Sequence, residues 1–162
     1  METHMATLDD LKGIVLLSHL TEPMKEKLLP HIALRQYRQD EFVFREGEPA
    51  ANFFFLRAGK VVLEKRLSDK MTVTFGSVKP GYSFGWSAML RQSYTTEAIC
   101  AEPSEILALD ADRAHSVMET DNALGFIFSQ RLLRVIKKRL EVRTEQFVKA
   151  IANNPECMVL LE

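Results

Sequence analysis

Cysteine is scarce in this sequence, and long apolar runs are absent. Its 162 residues contain two cysteines, Cys100 and Cys157, which are too far apart to form a CxxC pair. Isolated cysteines build neither a disulfide framework nor a thiolate zinc site, so we expect a reducing, cytoplasmic compartment. No window approaches the roughly 18 consecutive apolar residues of a membrane span, and the first residues lack the pattern of a signal peptide. We therefore expect no membrane partner.

A large excess of one charge is also absent. Lysine plus arginine number 21 and aspartate plus glutamate 22, which gives a net charge of −1. This balance excludes a nucleic-acid binder that works by bulk positive charge. The stretch Arg131–Arg143 is nevertheless rich in basic residues. We interpret it as a solvated helix face beside a dimer interface rather than as a binding surface.

Sequence motifs of catalysis and of metal binding are absent as well. The chain has no HExxH, GxSxG or P-loop motif. His19, His31 and His115 stand far apart and outside the spacing of a metal site. We therefore predict no catalytic residue, no metal and no enzyme activity.

Glycine and phenylalanine concentrate in the middle of the chain. Five of the seven glycines and seven of the ten phenylalanines lie between positions 42 and 85. Short aromatic runs punctuated by glycine are typical of short strands joined by tight turns. This part of the chain is therefore predicted to be rich in β-structure.

The segments on both sides of this region have helical patterns. Thr21 precedes a helix with Pro23 in its first turn, where the missing N–H of proline costs nothing. After Leu109 the apolar spacing changes from two to about 3.6 residues, which predicts a short helix and then a long one from about Asn122 to about Ile151. This order of elements is that of an α+β domain with a β-barrel or β-roll between helices.

One domain is predicted over residues 11–151, and it includes the long helix at about 122–151. The terminal extensions are residues 1–10 and 152–162, parts of which, Met1–Met5 and Leu161–Glu162, we interpret as cloning remnants and leave out of the fold.

The long helix carries more apolar surface than one domain can cover. At a rise of about 1.5 Å per residue it extends past a single β-roll, so only its first half can pack there. Unpartnered apolar side chains usually mark an interface, and a second copy across a two-fold axis is the simplest partner. We predict a parallel homodimer with the basic residues directed outward. The predicted interface residues are Phe128, Leu132, Val135, Ile136, Leu140 and Phe147.

Three stretches of the sequence form a recognisable pattern: Glu46-Gly47-Glu48-Pro49, then Phe55-Leu56-Arg57-Ala58-Gly59-Lys60-Val61, and then Pro80 to Leu90. In this order and spacing they resemble the cyclic-nucleotide-binding domain family, of the catabolite activator type. The first two are similar to strands and turns of that family's β-roll, and the third falls at its phosphate-binding cassette. The resemblance covers about residues 11 to 148. It implies an antiparallel β-roll or jelly-roll (a double-stranded β-helix), flanked by an N-terminal helix and two C-terminal helices.

The same resemblance implies a non-catalytic regulatory module for signal transduction. In such a module a ligand organises the cassette and re-angles the C-terminal helices, which pass the signal to a downstream protein that the sequence does not name. Only residues 153–162 follow the long helix, too few for a winged helix. We therefore expect a stand-alone member without a DNA-binding domain.

The cassette departs from the family pattern at two positions. The resemblance implies a phosphate-binding turn after Gly85, because free N–H groups at a helix N-terminus bind anions. The family's charged anchors, a glutamate and an arginine, are replaced by Trp86 and Thr95, so we expect weak binding of cyclic AMP. Arg91, the nearest arginine, either reaches the phosphate or is solvated. The candidate ligand-binding residues are Phe84, Gly85, Trp86, Ser87, Ala88, Arg91, Thr95 and Thr96.

Two functions follow from the two interpretations of Trp86. If its ring stacks on a flat ligand, the chain senses a small anionic, nucleotide-like ligand, a cyclic nucleotide or a related phosphate. If its ring instead closes the pocket, the chain is a ligand-free dimeric interaction module. No other cofactor is implied.

Overall fold

The computed structural model describes residues 2–153, which form two antiparallel sheets and three α-helices. One sheet has the strand order β1-β2-β9-β4-β7 and the other has the order β3-β8-β5-β6. This antiparallel β-roll, with one helix before it and two after it, confirms the predicted fold class. The strands are β1 (Glu2–Met5), β2 (Ile32–Tyr37), β3 (Phe42–Phe44), β4 (Asn52–Ala58), β5 (Val61–Ser68), β6 (Met71–Val78), β7 (Ser83–Phe84), β8 (Glu97–Cys100) and β9 (Ser104–Asp110). The helices are α1 (Glu22–Leu28), α2 (Ala111–Thr120) and α3 (Asn122–Ala152).

The middle of strand β4 lies at the centre of the core and is covered on both faces, which explains the unbroken apolar run from Phe53 to Leu56. Phe53, Phe54 and Phe55 are all fully buried. On one face Phe54 stacks on Phe44 of the opposite sheet, with ring centroids 5.6 Å apart. On the other face Phe53 meets Phe128 of α3 edge to face, with centroids 6.0 Å apart. The phenylalanine-rich segment therefore joins both sheets and the long helix.

Both C-terminal helices begin at an aspartate that accepts a hydrogen bond from the backbone. The carboxylate of Asp110 accepts from the N–H of Arg113 at 2.9 Å and so caps α2. The carboxylate of Asp121 accepts from the N–H of Leu124 at 3.0 Å and so caps α3. These caps satisfy N–H groups that the first turn of a helix leaves free. The observed end of α3 at Ala152 lies one residue beyond the predicted end.

The N-terminal region differs from the sequence interpretation. Glu2–Met5, left out of the fold as a cloning remnant, forms β1 and pairs antiparallel with β2, with Thr3 opposite Arg35. Ile32, which continues the apolar spacing of α1, is instead the first residue of β2. Pro30 follows α1 in a short 3₁₀ turn, and a proline prevents the helix from continuing.

The exposed apolar side of α3 also differs from the predicted interface. Phe128 is 1% exposed and belongs to the core, and Leu132 and Ile136 are partly buried against the domain. Four of the apolar side chains that remain exposed on α3 recur every seventh residue. We call this set the exposed heptad row; it consists of Phe126 (67% exposed), Leu133 (58%), Leu140 (65%) and Phe147 (64%). Two of the predicted interface residues, Leu140 and Phe147, lie in it.

No helix within residues 2–153 is both long enough and apolar enough to cross a membrane. Over the same range, no three histidine, cysteine, aspartate or glutamate side chains come together in a way that could hold a metal ion. Cys100 is buried in the core, whereas Cys157 and the segment 154–162 lie outside the described residues.

Candidate ligand-binding site

The predicted cassette is a sharp turn that depends on glycine. Gly85 follows β7 with φ 75°, in the left-handed region that favours glycine. A Cβ atom at this position would lie 2.9 Å from Cδ2 of Phe54. The 3₁₀ turn Trp86–Leu90 then begins, and its first internal bond runs from the N–H of Ala88 to the carbonyl of Gly85 at 3.2 Å. The N–H groups of Trp86 and Ser87 precede that bond, so the turn itself does not use them.

A cavity of about 330 Å³ lies between this turn and α3. Its walls come from the cassette, from the two threonines before β8, from aromatic and aliphatic core residues, and from α3. The lining residues are Phe44, Leu63, Phe75, Gly85, Trp86, Ser87, Tyr94, Thr95, Thr96, Ile136, Arg139, Leu140 and Arg143.

Five of the eight predicted site residues lie on this cavity, and three do not. The five are Gly85, Trp86, Ser87, Thr95 and Thr96. Phe84 and Ala88 are fully buried and do not line it. Arg91 lies beyond the far end of the cassette turn, where its Nε is 3.6 Å from a carboxylate oxygen of Asp112. The cassette therefore brings its backbone and its threonines to the cavity but no charged side chain.

Positive charge reaches the cavity from α3 instead. Arg139 lies over the indole of Trp86, with its Cζ 4.6 Å from the ring centroid, and donates a hydrogen bond to the carbonyl of Ser83. Arg143, one turn further along the helix, lies over Phe75 with its Cζ 5.7 Å from that ring centroid. Both arginines were predicted to point outward with the rest of the basic stretch. That prediction is wrong for these two, because they fold back onto the β-roll.

Electrostatics of the cavity follow from this arrangement. Among the described residues that line it, none is acidic. Burial, and then the neighbouring charge of Arg143, lower the pKa of Arg139 to about 10. The guanidinium is therefore still charged at neutral pH, in surroundings that disfavour the charge. Of the two arginines that bring positive charge to the cavity, only Arg143 has a distinguishing feature in the sequence, because it interrupts the apolar spacing of α3.

Trp86 separates this cavity from a second one. The second cavity, of about 520 Å³, lies between the cassette turn and helices α2 and α3, and Trp86, Met89 and Phe128 are among its lining residues. The indole Nε1 is buried without a hydrogen-bond partner among the described residues. Its ring thus forms a wall between the two cavities and leaves the first one open.

The β-roll of this chain thus holds a small cavity between a glycine-led turn and a C-terminal helix. The model of the cyclic nucleotide-binding domain family matches residues 34–121, more than half of the chain, and the protein belongs to that family.

Individual proteins resemble this chain at low sequence identity. Human cGMP-dependent protein kinase 2 is 27% identical over 104 residues, which make up 64% of this chain but only 14% of the kinase. A cyclic nucleotide-binding domain from Methylobacillus flagellatus has a TM-score of 0.76 at 18% identity, over 88% of this chain and 81% of that one. The Catabolite Activator Protein of Thermus thermophilus has a TM-score of 0.69 at 21% identity, over 84% and 63% of the two chains. At these identities the two structures establish the fold.

Proposed function

We propose that the chain is a non-catalytic sensory module that binds a small anionic, nucleotide-like ligand in the cavity between the cassette turn and α3. Ligand binding changes the position of α3 relative to the β-roll, and α3 carries the signal to a downstream protein. A ligand shifts such an equilibrium only by its different affinity for the two arrangements. A site that contacts both the roll and the helix supplies that difference.

The observation that carries this proposal is the composition of the cavity wall. Its volume of about 330 Å³ falls within the usual range of small-molecule sites, about 300–1,000 Å³. Its lining is apolar on several sides, with hydroxyls at Thr95 and Thr96 and cations at Arg139 and Arg143. An apolar enclosure with few convergent polar groups fits a flat ring that carries a negative group.

We further propose that the module works as a parallel homodimer along α3. The exposed heptad row supports this, because side chains seven residues apart lie on one face of a helix in a coiled coil. One member of the row, Leu140, also lines the cavity. A second copy packed on the row would therefore lie beside the ligand.

The test is a thermal-shift screen with cyclic AMP, cyclic GMP and cyclic dinucleotides, followed by calorimetry on any that shift the Tm. We expect at least one to raise the Tm by about 5–10 °C at a concentration near a hundred times its Kd. Adenosine, which has the ring without the phosphate, is the matched control and should have no effect.

We expect cyclic AMP itself to bind with a Kd above about 1 μM, because Trp86 and Thr95 leave the cassette side of the cavity without a charge. Submicromolar binding would contradict this. A complete absence of shifts in the screen would favour the ligand-free interaction module.

A further inference from the structure

Two arginines on successive turns of α3 reach one cavity from the same side. Arg139 and Arg143 both line it, over Trp86 and Phe75 respectively. Gly76 makes room for the second of them: a Cβ atom there would lie 3.1 Å from Nη2 of Arg143. The β-roll thus receives both guanidinium groups closely rather than leaving them to solvent.

Neither guanidinium has an acidic partner among residues 2–153. None of the salt bridges within that range includes Arg139 or Arg143. By contrast, Arg57 meets both Asp10 and Glu105. The only protein acceptors in the described part of the chain are the carbonyl of Ser83 for Arg139 and the side-chain oxygen of Gln146, 3.5 Å from Arg143.

This arrangement leaves most of the donors unused. A guanidinium carries five N–H donors in a planar fork, and partial burial of a charge without a counter-charge is unfavourable. Two such groups side by side also repel each other. An anion placed between them would supply the missing acceptors and remove the repulsion.

We propose that Arg139 and Arg143 bind the anionic group of the ligand, and that this group is a phosphate. The inference rests on the proposed function and assigns the charged part of its site to α3 rather than to the cassette. A guanidinium fork matches two phosphate oxygens, and two adjacent forks suit a group that spreads its charge over several oxygens. The ring of the ligand then lies against the apolar wall that includes Leu63 and Tyr94.

A consequence is that the helix senses the ligand directly. When phosphate engages Arg139, the guanidinium no longer depends on the carbonyl of Ser83 and changes its position over Trp86. Trp86 is the single tryptophan of the chain, so its fluorescence reports this step without any label.

The experiment titrates the full chain with inorganic phosphate at constant ionic strength, sodium chloride being the balancing salt, and records the emission of Trp86. Cyclic AMP and cyclic GMP are titrated in parallel. We expect a saturable change with phosphate by about 10 mM, where a Kd of about 1 mM gives near saturation. Chloride alone should give none.

Four variants locate the effect. Arg139→Gln and Arg143→Gln should each weaken binding by about tenfold to a hundredfold, the usual effect of losing a charged hydrogen bond. Arg139→Lys keeps the charge without the fork and should fall between wild type and Arg139→Gln. The matched control is Arg134→Gln, an exposed arginine of α3 away from the cavity, which should bind as wild type does. Circular dichroism confirms that each variant is folded.

The outcomes separate this inference from the proposed function. If a cyclic nucleotide binds wild type and Arg139→Gln equally, the arginine assignment is overturned and the sensory function stands. If phosphate binds through the arginines and no nucleotide does, the assignment stands and the nucleotide-like ligand is overturned. If neither phosphate nor any nucleotide changes the emission of the wild-type protein, both are overturned.

Discussion

The two halves of α3 contact the β-roll in different ways. The first half places Leu124 and Phe128 in the core, where both are fully buried. The second half leaves Leu140 and Phe147 exposed and meets the roll chiefly through Arg139 and Arg143. Burying a phenylalanine contributes about 1.5–3 kcal/mol under almost any condition, whereas a cation over an aromatic ring contributes about 0.5–2 kcal/mol. The second half is thus the more weakly held and the one that an anion in the cavity can move.

The largest expected effect on the free energy of unfolding comes from removing Phe128, the core residue that anchors the first half of α3. Phe128→Ala should lower the free energy of unfolding by about 3–5 kcal/mol, because it leaves a cavity beside Phe53. Phe126→Ala, two residues away on the exposed side, is the matched control and should change it by less than about 0.5 kcal/mol. Urea denaturation at equal, low protein concentration measures both. Similar losses in the two variants would mean that burial of Phe128 does not anchor the first half of α3.

The next largest effect is expected at the cassette turn, which faces the second half of α3 across the cavity. Gly85→Ala should destabilise the fold by about 2–4 kcal/mol, since a positive φ and a collision with Phe54 both oppose a Cβ atom. Gly47 has a similar φ of 85° but no atom within 4 Å of an added Cβ. Gly47→Ala should therefore cost only the backbone strain, about 1–2 kcal/mol. Calorimetric unfolding of both variants tests this, and equal losses would show that contact with Phe54 is unimportant.

Local sequence patterns predicted the elements of this fold well. The glycines and phenylalanines between positions 42 and 85 indicated the β-rich region, and the change of apolar spacing after Leu109 indicated the two C-terminal helices, because both signals lie within short segments of the chain. Strand β1 was missed because Glu2–Met5 is exposed throughout and is held by pairing with β2, which no local pattern reveals. The spacing of Ile32 from the apolar residues of α1 is helical, and only Pro30, two residues earlier, indicates that the helix has ended.

The candidate site was harder to predict, because its two walls are far apart in the chain. The cassette turn could be placed from Gly85 and its neighbours. Which of its residues face the cavity, however, depends on the geometry of the turn. Phe84 and Ala88 were therefore predicted to line the site, whereas both are buried in the core. Arg139 and Arg143 have the composition of a solvated face. Their contacts with Trp86 and Phe75 depend on how α3 crosses the roll, which Leu124 and Phe128 determine.

The next prediction concerns the proposed homodimer, which depends on the exposed side of the second half of α3. The expected effect on the stability of the fold is small, but the effect on the oligomeric state is large. Leu140→Glu should convert the proposed homodimer to a monomer, because it places like charges opposite each other in the exposed heptad row. Val142→Glu, an exposed apolar position of α3 outside that row, should remain a dimer. Sedimentation at tens of micromolar compares them. A monomeric wild-type protein under these conditions would end the dimer proposal.

The smallest expected effect lies at the start of the first half, where Asp121 caps α3. One of its carboxylate oxygens accepts from the N–H of Leu124 at 3.0 Å, and the other lies 2.6 Å from Nζ of Lys27. The hydrogen bond from Lys27, followed by that from the backbone, lowers the pKa of Asp121 below its ordinary value of 3.8. A carboxyl whose pKa is lower in the folded state stabilises the fold above its unfolded pKa, and this contribution is lost as the pH falls through the folded value.

Two substitutions separate the cap from the ion pair at this position. Asp121→Asn keeps a capping oxygen and loses the charge, whereas Asp121→Ala loses both. At neutral pH we expect the Tm to fall slightly for Asp121→Asn and by a few degrees for Asp121→Ala. The gap between wild type and Asp121→Asn should narrow as the pH falls below 3.8, because the carboxyl takes up a proton as the pH approaches its lowered pKa in the folded state. A gap that stays constant there would exclude the ion pair as its cause. Because the cap holds only the first half of α3, neither variant should change the phosphate-dependent emission of Trp86.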